Sequence, residues 1–526
     1  MPLLPTPPST PPGDSTRLPY SSPPAPPLGG RSGGVRSACG CRDEKGSARP
    51  QGLRLYQVDA VEQLRDAYRR GARAPLLVLP TGGGKTVVFS HIAAAAVAKG
   101  RSVLVLVHRR ELLRQASEKL TSAGVAHGII APGHAATDHP VQVASVQTLA
   151  RRLDQMRQAP PQLVIIDEAH HAVAGQWRAI LDAFPEAHIL GVTATPIRSD
   201  GAGLGVRAGG VFDALVSGPS IADLIDQRHL VRPRIFAPAP GEAPDLSGIR
   251  TRGGDYEVAQ LAEAMSAPQV VGCAVEHYRR HAAGLPTVLF AASVHHAEAV
   301  AEAFRAAGIR AVAASGTTPP AERDAAIKGL ATGAVEVLCS CDLISEGLDV
   351  PAIGAVMLLR PTQSLALYLQ QVGRGLRPAD GKSELIVLDH AGNSLVHGLP
   401  QMPQRWSLEG DPTRLSGKGR RNKPICTVCA SVLRRGAEAC GDCGTPARPP
   451  KREMQQGHGV LSEVPPDVVA WMLAVHTLPV PELLNRARTV SDLIAIQRAR
   501  GFKPGWVWHK WRDILQRRSP SANDRC

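Results

Sequence analysis

The sequence predicts an α/β protein: two tandem parallel-sheet domains, then a small cysteine module and a helical tail. Three observations carry this. Short apolar, β-branched runs alternate with helical patterns from about residue 53. The alternation breaks after residue 200 and restarts near residue 286. Beyond about residue 400 the texture turns basic, with four clustered cysteines ahead of a helix-rich end.

The 526 residues allow roughly three or four domains. Residues 1–50, opening "MPLLPTPPSTPPG", are rich in Pro, Ser and Gly; they cannot build a packed core and are expected to be disordered. Proline interrupts every apolar run there and no basic start precedes one, so the segment does not read as a signal peptide. No run approaches the roughly 18 apolar residues of a membrane span. Ten cysteines, four of them in one cluster, are not a disulfide framework and indicate a reducing, cytoplasmic setting; Cys39 and Cys41 receive no role.

The net charge of +14 is unevenly spread: +3 over residues 1–50, +1 over 51–410 and +10 over 411–526. A basic end of this kind suits a polyanionic partner, although a solubility bias produces the same composition. With aromatics at 4%, the cores must be aliphatic.

In the first domain, strands are expected at "PLLVLP" (75–80), "SVLVLVH" (102–108), "VQVASV" (141–146), "LVIIDE" (163–168) and "HILGVTAT" (188–195), and a glycine-ended helix at 86–100. Residues 200–265 read as glycine-rich and irregular, holding the domain's end and a linker. The second domain offers "PTVLFAA" (286–292), "RAVAAS" (310–315), "VEVLCSC" (335–341), "AVMLLR" (355–360) and "ELIVLDH" (384–390), with a helix at 294–308. The expected boundaries are 51–235, 236–400, a basic module at 401–450 and a mainly helical tail at 451–526.

"LLVLPTGGGKT" is a strand, a glycine turn and a helix start. Gly82, Gly83 and Gly84 let successive N–H groups, with Thr81, curl around a phosphate, and the helix N-terminus adds partial positive charge. Lys85 can reach the β/γ-phosphates of a nucleotide, and the Thr86 hydroxyl can hold Mg²⁺. The usual phosphate-loop pattern has glycine where Leu79 stands. Such a loop needs a carboxylate at another strand end, and "LVIIDEAHH" supplies one. Asp167 is placed to bind Mg²⁺ and Glu168 to polarise the attacking water.

"DEAH" (167–170) after this loop resembles the superfamily 2 helicases and translocases, whose loops often begin with a residue other than glycine. The resemblance covers about residues 51–395 and implies two RecA-like domains with ATP and Mg²⁺ between them. "LRLYQ" is similar to the adenine-reading segment, which gives Gln57 that part. "VHRRELLRQ" and "ASVQTL" resemble motifs that touch the nucleic-acid backbone, implying contacts from His108, Arg109, Ser145, Gln147 and Thr148. "TAT" resembles the segment that couples hydrolysis to strand movement, through Thr193 and Thr195. "CDLISEGLDVP" resembles the motif in which Gly347 and Asp349 contact nucleotide and strand. "YLQQVGRGLRP" resembles the arginine-finger motif, with Gln370, Arg374 and Arg377 at its spacing. On a helix those arginines, three apart, would face one way.

Cys426, Cys429, Cys440 and Cys443 form two C-x₂-C pairs ten residues apart, a pattern suited to one structural Zn²⁺ in a ribbon-like module. Flanking "KGRRNK" (418–423) and Arg434–Arg435 suit phosphates. With this module the chain resembles the RadD-like branch of bacterial DNA-repair ATPases. In the tail, Trp506, Trp508 and Trp511 interleave with basic residues. They suit either base stacking or a small helical core with a solvated basic face.

The reading is an ATP-dependent helicase or translocase on DNA, serving repair or recombination. DNA is favoured because "TAT" and "HRREL" stand where many RNA-acting relatives have S-A-T and P-T-R-E-L-A. An RNA helicase is the first alternative. A non-catalytic nucleic-acid-binding protein is the second, opposed by the intact Lys85, Thr86, Asp167, Glu168 and Arg374.

Overall fold

Leucine, valine and isoleucine runs form the centres of two seven-stranded sheets, where both faces are covered and alternation is not needed. The computed structural model describes residues 52–518 apart from 158, 174, 199–200, 240–243, 245, 247–248, 253, 266–267, 342–349, 411–424, 427, 434–436, 447–459 and 504. The first sheet holds β1 (Pro75–Val78), β2 (Val103–Val107), β3 (His127–Ile130), β4 (Val141–Ser145), β5 (Leu163–Asp167), β6 (His188–Thr193) and β7 (Ala214–Ser217). Their order is β3-β4-β2-β5-β6-β1-β7, and every pairing is parallel. Leu76, Leu77, Leu104, Leu106, Ile165 and Ile166 are fully buried. Each such side chain stabilises the fold by roughly 1.5–3 kcal/mol.

The second sheet holds β8 (Arg232–Ala237), β11 (Thr287–Phe290), β12 (Ala311–Ala314), β13 (Val337–Ser340), β14 (Ala355–Leu358), β15 (Glu384–Asp389) and β16 (Ser462–Glu463). The order β12-β13-β11-β14-β15-β8-β16 is parallel except for the last pair. Leaving out β7 and β16, the two sheets have one topology, with β8 in the place of β1. The chain therefore winds the same domain twice, and one buried cluster joins Leu77 and Val105 of the first lobe to Val356 and Leu376 of the second.

Several elements lie where the sequence reading saw none. The stretch read as irregular carries β7, the helix Ile221–Asp226, β8, a hairpin of β9 (Thr251–Arg252) and β10 (Asp255–Tyr256), and the helix Val258–Met265. β8 is masked in sequence by its two arginines and proline, yet it pairs with β15 over five residues, so the second sheet begins at Arg232. β16 comes from the tail: Glu463 accepts from both Arg234 Nε and Nη2 at 2.8 Å.

The tail is otherwise helical, with helices Pro466–Thr477, Val480–Arg486, Val490–Arg500 and Gly505–Arg518. Thr489 and Asp492 form a capping box at the third of these, and Gly501 closes it in the left-handed conformation. Leu483, Leu493, Ile496 and Val507 make a small core that also takes in Ala430 from the cysteine module. Among the described residues no helix is long and apolar enough to cross a membrane.

Candidate active site

The sheet order sets β1 beside β6 and one strand from β5, so their C-terminal ends open onto one place. After β1 the chain turns sharply, with Gly83 N donating to Pro80 O at 2.9 Å. Gly82 and Gly84 have φ of 85° and 79°, which side chains with a Cβ resist. Gly84 caps the helix Lys85–Val97. Tyr56 Oη and Gln57 Nε2 both donate to Gly83 O, at 3.0 and 3.2 Å, and Gln57 Oε1 accepts from Arg54 N. Gln57 is thus buried against the loop with both ends of its amide engaged, and a Cβ on Gly84 would stand 2.4 Å from its Nε2.

Asp167 and Glu168 are both buried at the end of β5. Glu168 takes the left-handed conformation (φ 47°), a strained geometry for a side chain of its size. That turn brings its carboxylate back over the loop, where Oε1 lies 3.8 Å from Lys85 Nζ. Burial, and then the charge of Glu168, push the Asp167 carboxyl up to about 6. Glu168 Oε2 is buried without a hydrogen-bond partner. Two buried carboxylates, one with an oxygen that makes no hydrogen bond, beside a lysine and a helix N-terminus fit a nucleotide's Mg²⁺ and a water. Asp167 and Thr86 would hold the ion, which would offset charge on the phosphates.

The second lobe completes the site. The helix Leu365–Gly373 runs up to the loop, and a Cβ on Gly373 would stand 2.5 Å from Thr81 Cβ. A Cβ on Gly82 would stand 3.3 Å from Arg377 Cγ. Gln370 and Arg374 are buried, and burial lowers the pKa of the Arg377 guanidinium, a cost that an anion would remove. The two arginines do not share a helix face as the sequence suggested. The helix ends at Gly373, Arg374 is its C-cap and Arg377 lies in the bend beyond; Gly375 N and Leu376 N turn back three residues, to Val372 O and Gly373 O, and Leu376 O is taken by Val231 N.

The candidate nucleic-acid residues gather at the ends of neighbouring strands. Val107 pairs with Ser145, so His108–Arg109 and Val146–Thr148 leave the sheet side by side. Gln147 Nε2 donates to His108 O at 3.2 Å and Ser145 Oγ to Gln147 Oε1 at 2.8 Å. Thr193 and Thr195 are buried, Thr195 N donating to Thr193 Oγ1 at 3.2 Å. His170 Nδ1 lies 3.3 Å from that hydroxyl and 3.5 Å from Glu168 Oε2. Two residues to which the motifs gave no part belong to this arrangement. Tyr56 props the loop, and His171 stands between His108 and His170, ring centroids 4.4 and 4.1 Å away. Nothing in their spacing marks either; only tertiary packing brings them in. Gly347, Asp349, residues 418–423, Arg434 and Arg435 lie outside the described residues, as does the N-terminal segment to residue 51.

The four cysteine sulfurs lie within 4.8 Å of one another, with Cys426–Cys443 at 3.6 Å and Cys429–Cys440 at 3.5 Å. Tetrahedral zinc thiolates require about 3.8 Å between sulfurs, so the cluster is compatible with zinc. In the tail, Trp506 and Trp511 pack on the helical core, whereas Trp508 carries the Arg512 guanidinium 4.6 Å above its ring.

Comparison with known proteins agrees with this geometry. Residues 51–198 match the family model "Type III restriction enzyme, res subunit", and residues 270–379 match "Helicase conserved C-terminal domain". A "51.5 kDa protein" of a Lactococcus phage is 34% identical over 367 residues, 69% of this chain and 76% of its own length. The chain belongs to the superfamily 2 helicases. It is an ATP-hydrolysing helicase enzyme. The "Putative ATP-dependent helicase IRC3" of Saccharomyces cerevisiae is 33% identical over 379 residues. The helicase described here matches 68% of its own chain to it and spans about half of the yeast protein, 54%. In fold it is similar to a fragment of "a putative HsdR subunit of a type I restriction enzyme from Vibrio vulnificus YJ016", with TM-score 0.52, 21% identity and 66% of each chain covered.

Proposed function

We propose that this helicase is an ATP-driven motor on DNA, in the RadD-like branch, serving repair or recombination in the cytoplasm. In this reading the first lobe, from residue 51 to the approach to β8, binds ATP, and the second motor domain runs from β8 at Arg232 to about residue 400. Residues 401–450 hold a structural zinc, and 451–526 form a basic tail. The observation that carries it is the meeting of Gly373 and Arg377 of one lobe with Thr81 and Gly82 of the other.

Phosphates would sit against the loop of Gly82–Gly84 and the helix N-terminus it opens, with Lys85 at the terminal phosphate and Gln57 and Tyr56 holding the loop in shape. Glu168 would orient water, and Arg374 and Arg377 would stabilise charge on the transferring phosphoryl group, an effect worth ~10³–10⁵ in rate. Hydrolysis then depends on lobe contact. Cycles of contact and release would move a strand held by His108, Arg109, Ser145, Gln147 and Thr148. The Thr193–His170–Glu168 chain offers a direct path between the hydrolytic acid and the segment ending in Thr195.

DNA is supported by the restriction-enzyme model matched over residues 51–198 and by the "HRREL" and "TAT" motifs. The test is ATP hydrolysis with single-stranded, duplex and forked DNA and with RNA, for the wild type and Lys85→Ala. The reading expects DNA to stimulate more than RNA and Lys85→Ala to be inactive. Stronger stimulation by RNA, or an active Lys85→Ala, would overturn it.

A further inference from the structure

The arginine segment raises a physical problem. Arg374 and Arg377 lie past the end of their helix, in a tight turn where Gly375 N donates to Val372 O at 3.0 Å and Leu376 N to Gly373 O at a long 3.4 Å, so the regular helical ladder does not extend to Arg377. The helix's other end is well held. Ser364 Oγ accepts from Leu367 N, Thr362 Oγ1 donates to Asp255 Oδ2 at 2.8 Å, and Gln363 N donates to Asp255 Oδ1 at 2.7 Å. At the arginine end the accounting runs through backbone carbonyls. Leu376 O accepts from Val231 N at 2.8 Å. Gly375 O and Arg377 O both accept from one side chain, Lys382 Nζ, at 2.5 and 2.8 Å. The same ammonium donates to Pro351 O at 3.2 Å.

An ammonium has three donors and no acceptor, and here three carbonyls meet it. Lys382 reaches them from a turn closed by its own N–H to Ala379 O, with Gly381 at φ 74°, immediately before β15. Its stem therefore springs from the second sheet's frame. Its head ties two things to that frame: the turn carrying both arginines, and the end of the 341–351 segment. The head also sits against a like charge. Burial, and then Arg377, depress the ammonium to about 8. A lysine held beside an arginine at that electrostatic cost is poorly explained as a surface residue.

We infer that Lys382 is a positioning residue for ATP hydrolysis, an ammonium clamp that fixes the Arg374–Arg377 turn so that its guanidinium groups meet the γ-phosphate. It touches no nucleotide. Its effect passes through the carbonyls of Gly375 and Arg377. This rests on the proposed role of the arginines. ATP affinity comes mainly from the first lobe, so loss of the clamp lowers kcat and leaves KM for ATP nearly unchanged.

The experiment measures DNA-stimulated ATP hydrolysis by the full chain as wild type, Lys382→Met, Lys382→Arg and Arg374→Ala, with folded fraction from circular dichroism. Lys382→Met is expected to lose about tenfold or more in kcat, part of the ~10³–10⁵ a finger contributes, with KM within about twofold. Lys382→Arg recovers part of the loss, since a planar guanidinium keeps the charge but cannot aim three donors at converging carbonyls. Should Lys382→Met not fold, Lys382→Gln takes its place with the same readout. A neutral variant whose kcat stays within about twofold of wild type overturns the inference, as does a loss that merely follows the folded fraction. If Arg374→Ala hydrolyses ATP normally, the arginine reading itself fails. If Arg374→Ala is inactive and the Lys382 variants are not, only the clamp fails.

Discussion

Gly373 touches Thr81 across the cleft: the two residues stand so close that a methyl group on Gly373 would lie 2.5 Å from Thr81 Cβ. No ordinary packing tolerates that distance, so the lobes can meet this closely only because residue 373 has no side chain. Gly373→Ala should raise local helix propensity by about 1 kcal/mol and yet force the lobes apart. The expected outcome is unchanged thermal stability with DNA-stimulated ATPase reduced by about tenfold or more. Fluorescence energy transfer between labels on the two lobes would report the wider cleft.

Glu168→Gln keeps the shape of the strained turn at φ 47° and removes the charge that would polarise water. Hydrolysis should fall ~10²–10⁴-fold while ATP binding persists. Removing the Glu168 charge also takes away the second cause of Asp167's raised pKa, so the Mg²⁺ requirement should remain. Single-turnover hydrolysis together with nucleotide titration separates the two effects.

The pH dependence should carry the mark of Lys382. Its pKa is lowered from an ordinary 10.5 to about 8, by burial first and Arg377 second. Between those values the unfolded chain binds the proton that the folded chain has released, so this group's contribution to stability rises with pH. Activity should run the other way, because the neutral amine has one donor fewer for its three carbonyls. ATPase should decline as pH passes 8 while the melting temperature does not fall on this account, and Lys382→Arg should flatten the decline. An activity loss that parallels unfolding would contradict the assignment.

Ala430, in the knuckle between Cys429 and Ser431, is fully buried in the tail's core with Val475, Leu493 and Val507. If the four thiolates hold zinc, chelation should loosen that core. Emission from Trp471, Trp506 and Trp511, which line it, should shift to the red, while ATPase measured without nucleic acid should stay near its starting value. A chelator that leaves the emission unchanged would argue that the module needs no metal.

Much of the fold was legible because the strands that surround the site are continuous apolar runs. The strands predicted at "LVIIDE" and "ELIVLDH" lie within a residue of where they form. β8 was hidden because Arg232, Pro233 and Arg234 break its apolar pattern, and β16 because two paired residues leave no periodicity to read. At the site, motif order located the loop, the acids and the arginines. It gave no part to Tyr56, His171 or Lys382, whose contacts come from residues 27, 63 and up to 31 positions away. The helix expected under Arg374 and Arg377 ends at Gly373, where the chain tightens into a turn and Leu376 O accepts from Val231 N at 2.8 Å, a tertiary bond that no local pattern announces.

Arg374 is buried on the second lobe and separated in sequence by almost three hundred residues from the loop it would serve. Its direct test is steady-state ATP hydrolysis by Arg374→Ala with saturating single-stranded DNA, alongside nucleotide affinity. A loss of ~10³-fold or more in kcat with ATP binding retained is the expected outcome. An Arg374→Ala enzyme that hydrolyses ATP at the wild-type rate would contradict it.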